Sequence, residues 1–369
     1  MNDAVRWRHL VTIYHAQELC RRHSFEEVAY LRWHGDLPTR EQLSSHRRAE
    51  RAQRTLSRQV TAALAQRPPA ADPLDTLKAA LGVLAAGDPA AGDSAAAVHA
   101  KAVRLFAILP SIVAADQRLR QGLGVVAPRE HLGYAANFLA MIFGKVPEPQ
   151  IVAAFETALI LYGGQSPHFP APAFPSRTAV SARPDPYRAA DSAISELQRS
   201  RDAEAGRAVL TMVNEIGIPD NARLWVEDAL AAGRKIAGFN DSLDETGDAR
   251  VPAMRRALGM IAGLRGGHQL IEIYEAVAEA VREASGQAPV LDYPASLAFH
   301  LIGLDAQAFA PILAIAGVPG WTAPPAPPGV VRNLVRPRSG TEFALGAGQH
   351  NPRTHRQALR GAAPLDPVL

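Results

Sequence analysis

The sequence predicts an all-α protein. Apolar residues recur at helical spacing along most of the 369 residues, strand-like alternation is almost absent, and Ala dominates the apolar set. With 47% hydrophobic but only 6% aromatic residues, the core is expected to consist of closely packed helices meeting through small side chains. The length suffices for one large core, or for a large and a small domain.

Residues 1–23 read as a lead-in. Ser24 followed by Glu27 forms a capping box ahead of an apolar stripe, so a helix begins there. The breaker His34-Gly35-Asp36-Leu37-Pro38 ends it. Thr39 with Gln42 repeats the device and starts a second helix, whose basic run HRRAERAQR (46–54) reads as a solvated face rather than a nucleic-acid contact. Arg67 to Pro73 is a turn, 75–86 a helix, and 87–94 a loop rich in Gly, Pro and Asp. Helical spacing returns over 95–121, 128–144 and 148–162. It collapses in GGQSPHFPAPAFP (163–175), where four prolines exclude a regular helix. Further helices are expected over 186–198, 205–216, 222–236, 252–264, 268–283, 294–304 and 306–316. The tail after Trp321 carries too much Pro and Gly for helix.

Several function classes lose support at once. Thirty-nine basic and 36 acidic side chains leave a formal charge of only +3, weak support for a nucleic-acid partner. Cys20 is the single cysteine, so no intramolecular disulfide, multi-thiolate zinc site or CxxC pair can form. It reads as a small buried hydrophobe. The N-terminal MNDAVRWRHLVTIY lacks the basic-then-apolar signal pattern, and no apolar run approaches ~20 residues. A soluble, cytoplasmic protein without a membrane partner is expected.

Three stretches carry a family resemblance: SFEEVAYLRWHGDLPTREQL (24–43); Arg104 to Leu161, with LPSIVAADQRLRQG and ANFLAMIFGKVPEP; and Pro289 to Phe343, with HLIGLDAQAFAPILAIAGVPGWTA and RNLVRPRSGTEF. They resemble the citrate synthase and 2-methylcitrate synthase family over more than half of the chain. The resemblance implies a mostly helical two-domain homodimer. Its large domain would come from residues 1–204 and 306–369, its small domain from 205–305, and its active site would lie in the cleft between them.

The implied reaction joins an acyl-CoA to a 2-oxo acid. An aspartate takes a proton from the acyl methyl carbon, one histidine donates to the thioester carbonyl, and a second polarises the ketone. Pro289-Val-Leu-Asp292-Tyr293 is similar to the family's PNVDFY and supplies the aspartate, although an Asp before a helix is also a common N-cap. Where the family has GPLHGGAN, this chain reads Ser200-Arg-Asp202-Ala-Glu-Ala-Gly206, so Asp202 stands at the first histidine. Gly238-Phe-Asn-Asp241 runs without a gap against GFGHRVYKNYDPR, which places Asp241 at the second and Arg250 at its arginine. The loop that normally reads HADHE is Tyr162-Gly-Gly-Gln165-Ser-Pro-His168, about two residues longer, with His168 as the one imidazole to reach that space. Arg250 and Arg336 match two of the arginines that hold the diacid. A third is replaced by Gly317, and the histidine after the family's GW pair by Pro324. Surface ion pairs are the competing reading of both retained arginines.

Charge separates the possible functions. An aspartate at a histidine position faces a developing oxyanion and a dianionic substrate. At 4 Å and an effective dielectric of ~20 each repulsion is of order 4 kcal/mol. Loss of one donor alone typically costs ~10²–10³ in rate. Ordinary citrate synthase activity is therefore expected to be negligible. Three readings follow: a silent or regulatory paralogue, as a homodimer or paired with an active citrate synthase homologue; a repurposed enzyme in which Asp202, Asp241 and Asp292 share protons or recruit Mg²⁺ or Ca²⁺; and a residual condensing enzyme that uses Asp292 as base. No resident cofactor or metal is expected, and acetyl-CoA or propionyl-CoA is a substrate only under the third reading.

Overall fold

Helices make up nearly all the regular structure of the computed structural model, which describes residues 16–90, 92–164, 185–199, 202–240 and 248–324, with the backbone alone at 16, 17, 164, 202 and 203. The first half of the chain forms α1 (Ala16–Arg22), α2 (Phe25–His34), α3 (Arg40–Arg51), α4 (Arg58–Ala65), α5 (Pro73–Ala86), α6 (Ala95–Arg120), α7 (Tyr134–Phe143) and α8 (Pro149–Gly164). Then come α9 (Pro186–Arg199), α10 (Asp202–Ile216), α11 (Ala222–Ala231), α12 (Val251–Arg265), α13 (His268–Ser285), α14 (Asp292–Ile302) and α15 (Phe309–Trp321).

The all-α expectation holds, and both capping boxes form. Ser24 N–H donates to Glu27 Oε2 at 2.9 Å, and Thr39 N–H to Gln42 Oε1 at 2.8 Å, while each cap hydroxyl accepts from the backbone three residues on. Gly35, at φ 86°, closes α2 in the left-handed conformation that glycine adopts without strain.

The core lies around α6 and α15. Helix α15 is buried from Phe309 to Pro319, and α6 packs against α3, α5, α7, α9 and α15. By length and composition α6 could cross a bilayer, but here it is buried from Leu105 to Gln117, as the central helix of a bundle is. Pro110 within it cannot donate to the Phe106 carbonyl. The Tyr134 hydroxyl donates to that carbonyl instead, at 2.8 Å, so the buried acceptor stays satisfied. At the far end of the bundle Trp33 Nε1–H donates to Thr322 Oγ1 at 2.9 Å and ties α2 to the end of α15.

Four expectations need correction. Part of the lead-in, Ala16–Arg22, is helical, with Leu19 fully buried. The charged helix stops at Arg51, and a separate one starts at Arg58 behind the Ser57 cap. The basic run 46–54 is not all solvated, because His46, Glu50 and Arg54 are buried. Arg54 grips Glu50 through Nε and Nη2, both at 2.8 Å, and donates from Nη1 to the carbonyls of Arg129 and Leu132. Finally, Phe239–Asn240 and Ala288–Pro289 form a short antiparallel pair, β1 and β2, in register Phe239↔Pro289 and Asn240↔Ala288. Two residues per strand are too few for alternation to show in a sequence.

Candidate active site

The short β1–β2 pair fixes one wall of the candidate site. Val290 N–H continues the ladder to the Gly238 carbonyl at 2.9 Å, and Leu291 N–H turns onto Asp248 Oδ2 at 3.1 Å. Tyr293 anchors the start of α14. Its ring is fully buried, stacks on Tyr274 at 4.6 Å between centroids and tilts against Phe239 at 4.8 Å. Gly238 makes that approach possible, since a Cβ there would stand 2.7 Å from Tyr293 Cβ, and its φ of 82° also favours glycine. Asp292 is thereby set as the first residue of α14, after Leu291. The N-cap alternative does not hold, because the cap position is Leu291 and carries no side-chain cap bond.

The second wall is the C-terminal end of α8. Its run of apolar residues is buried through Tyr162, and Gly163 lets it close against the bundle: a Cβ there would meet the Ala316 carbonyl and the Phe25 ring, each at 2.8 Å. The Tyr162 hydroxyl then donates to Asp292 Oδ1 at 2.6 Å. Burial first, and the Asp292 charge second, raise the ionisation of this phenol well above its ordinary value, so it stays a neutral donor.

Arg250 completes the charged cluster. It is 7% exposed and donates from Nε to Asp248 Oδ1 at 2.9 Å and from Nη2 to Asp248 Oδ2 at 2.7 Å. Burial works against its charge, but the Asp248 bonds and the nearby Asp292 outweigh it and hold the guanidinium above its ordinary value. Burial likewise pushes the Asp248 carboxyl up, while the Arg250 bonds and the Leu291 N–H more than reverse this and leave it below the usual range. Tyr162, Asp292, Arg250 and Asp248 thus form one electrostatic unit, with a neutral phenol and a bidentate ion pair around the Asp292 carboxylate.

Of the residues singled out in the sequence, Asp292 and Arg250 come together. Asp202 opens α10, but its side chain lies outside the described residues, as do Asp241, His168 and Arg336 altogether. Helix α10 packs on α14, and at Gly206 a Cβ would lie 2.5 Å from the Phe309 ring and 3.1 Å from Ser296 Oγ. Among the described residues no group of three His, Cys, Asp or Glu side chains is placed to hold a metal ion. Tyr162 and Asp248 were not singled out beforehand. The phenol ends an apolar run and reads as packing, whereas Asp248, two residues before Arg250, matches the Asp of the DPR motif and could have been found.

Gly317, which stands where the resemblance implies an arginine, is covered by Trp321. A Cβ on Gly317 would stand 2.4 Å from the indole Cζ2, so a larger side chain fits only if the ring moves.

Residues 11–338 match the family described as citrate synthase, C-terminal domain. A 2-methylcitrate synthase of Mycobacterium tuberculosis is 41% identical over 326 residues, covering 88% of this chain and 82% of the relative. A citrate synthase of Mycolicibacterium smegmatis is 39% identical over 327 residues, covering 88% and 86%. Among solved structures, citrate synthase from Pyrobaculum aerophilum superposes with a TM-score of 0.75 at 27% identity, covering 89% of this chain and 84% of that one. Citrate synthase from Thermotoga maritima gives 0.72 at 26% identity, covering 89% and 88%.

Proposed function

The chain belongs to the citrate synthase family, and from that membership we propose that it is a diverged member that does not run the ordinary condensation and serves as a silent or regulatory subunit. The observation that carries this reading is the partner of the matched base. Asp292 receives a hydrogen bond from the Tyr162 phenol, whose ionisation is raised, while Asp202 and Asp241 stand where the resemblance implies proton-donating imidazoles. A phenol held above its ordinary value is a poor acid near neutrality, and two carboxylates cannot stabilise a developing oxyanion.

In this reading the chain is a soluble cytoplasmic homodimer, or a heteromer with an intact relative, built from residues 1–204 and 306–369 with 205–305 inserted. Arg250 and Arg336 remain from the anion clamp. The runner-up is a residual or repurposed condensing enzyme that keeps Asp292 as base. Free-thiol release from acetyl-CoA or propionyl-CoA with oxaloacetate separates the two. No release above the uncatalysed rate is expected. Clear turnover that disappears in Asp292→Asn overturns the silent reading in favour of the runner-up.

A further inference from the structure

Helix α1, 7 residues long, is too short to hold its own shape and depends on what it packs against. It lies on α8 and α12. Leu19 is fully buried, and the Cys20 thiol reaches the Thr157 carbonyl of α8 at 4.0 Å. The neighbouring residue of α8, Glu156, holds the junction between α1 and α2. Its Oε1 accepts the Phe25 N–H at 3.1 Å, a first-turn donor of α2 that has no acceptor within its own helix. The ring of the same Phe25 seats against Gly163, where a Cβ would meet it at 2.8 Å, so the junction ends one residue from the Tyr162 donor.

Carboxyl groups crowd this junction. Glu26, 1% exposed, accepts the Tyr134 N–H at 3.3 Å, and Glu27 bonds to Ser24 N–H at 2.9 Å and to His23 Nδ1 at 3.0 Å. The cation beside them is Arg47 of α3, which donates to Ser24 Oγ at 3.1 Å and lies 3.6 Å from Glu26 Oε1. On α1 itself Glu18, Arg21 and Arg22 are exposed. On α12, Arg255 and Arg265 pair with Glu275 and Glu148, while Arg256 acts on Cys20. Asp292 of α14 meets α8 at Tyr162, His300 is exposed, α7 brings only Tyr134, and α15 has no titratable side chain. Burial first and Glu26 second push the Glu156 carboxyl up to about 7, which the Phe25 N–H and Arg47 do not reverse.

We propose that α1 is a proton-operated latch. With a proton on Glu156 it is closed on α8; without it a carboxylate is left under α1 and beside Glu26, and opening admits water to it. Opening returns the group to its ordinary 4.5, so the closed form is favoured fully below that value and less as pH rises to about 7. The open fraction rises about tenfold per pH unit across this interval, roughly 300-fold in all, and levels off above it. The latch acts whether or not the Tyr162–Asp292 cluster is silent.

Amide hydrogen exchange of residues 20–25 in the full chain, followed by mass spectrometry from pH 5 to 8, tests this. Exchange through an opening is itself first order in hydroxide, and the latch adds a second order. The logarithm of the rate should therefore climb with a slope of about two up to pH 7 and about one beyond it. Glu156→Gln, which keeps an acceptor for the Phe25 N–H, should show a slope of about one throughout, with His23 still in place. Glu26→Gln, which removes the second cause of the raised value, should move the bend below pH 7, and this arm decides if Glu156→Gln does not fold. A wild-type slope of about one below pH 7 overturns the latch. So does a steep limb that persists in Glu156→Gln, or a bend unmoved in Glu26→Gln.

Discussion

The Tyr162 hydroxyl donates to Asp292 Oδ1 across 2.6 Å, joining the last turn of α8 to the first residue of α14. Hydrogen bonds to charged groups are worth about 1.5–3 kcal/mol, so Tyr162→Phe is expected to lower unfolding stability by that amount in denaturant titrations. A second readout isolates the charge. In Asp292→Asn the ultraviolet titration of the tyrosines should show a resistant phenol ionising at lower pH, because one cause of its raised value is gone.

The buried Asp248–Arg250 pair predicts a larger loss. Removing one partner of such a pair leaves an uncompensated charge and costs about 3–5 kcal/mol, so Arg250→Ala should be among the most destabilising single changes near the site. The pH dependence follows from the lowered Asp248 value. Its contribution is present above the ordinary carboxylate value of about 3.9 and fades as pH falls through the lower folded value. Asp248→Asn should flatten stability curves on that acid limb, as read from denaturation midpoints.

Three imidazoles add an acid-sensitive element elsewhere. His46 is buried beside Trp33, Tyr30 and Phe106, and burial first, then His99 and His34, bring its value down to about 4. His34 and His99, 5.1 Å apart between ring centroids, are also lowered, chiefly by burial. A depressed histidine contributes stability that is complete above about 6.5 and is lost as pH falls through its folded value. The melting temperature should therefore decline from about pH 6.5 towards 4, and His46→Phe should make that decline shallower.

Gly163 lies next to Tyr162, and one of the two groups its Cβ would meet is a backbone carbonyl, that of Ala316. Side chains can turn away, but this carbonyl belongs to the buried helix α15. Overpacking of this kind costs about 1–3 kcal/mol, so Gly163→Ala should destabilise the fold and disturb the Tyr162 ionisation together. For Gly317→Ala the three nearest atoms all belong to the Trp321 ring, a side chain rather than backbone. This change should be better tolerated when Trp321 is also replaced by Ala, which a double-mutant cycle would show.

Local rules carried most of the fold. The Ser24 and Thr39 caps and the Gly35 stop are decided within a few residues, and the two helices they bound begin and, for the first, end where those signals stand. Long-range partners were hidden. Arg54 looked like one charge among many because the carbonyls it satisfies lie 75 and 78 residues further on. At the site Asp292 and Arg250 were legible through motif resemblance. Tyr162 was not, because a phenol at the end of ALILY has the same pattern whether it only packs or also donates to a carboxylate 130 residues away.

The bond from Trp33 to Thr322 spans 289 positions. A ribosome adding about 5–20 residues per second needs roughly 15–60 s to cover that interval. Throughout that wait the newly made α2 lacks the hydroxyl that finally accepts its indole N–H. Stalled or truncated chains that end before residue 322 should accordingly recruit chaperones and aggregate, however well their local helices have formed.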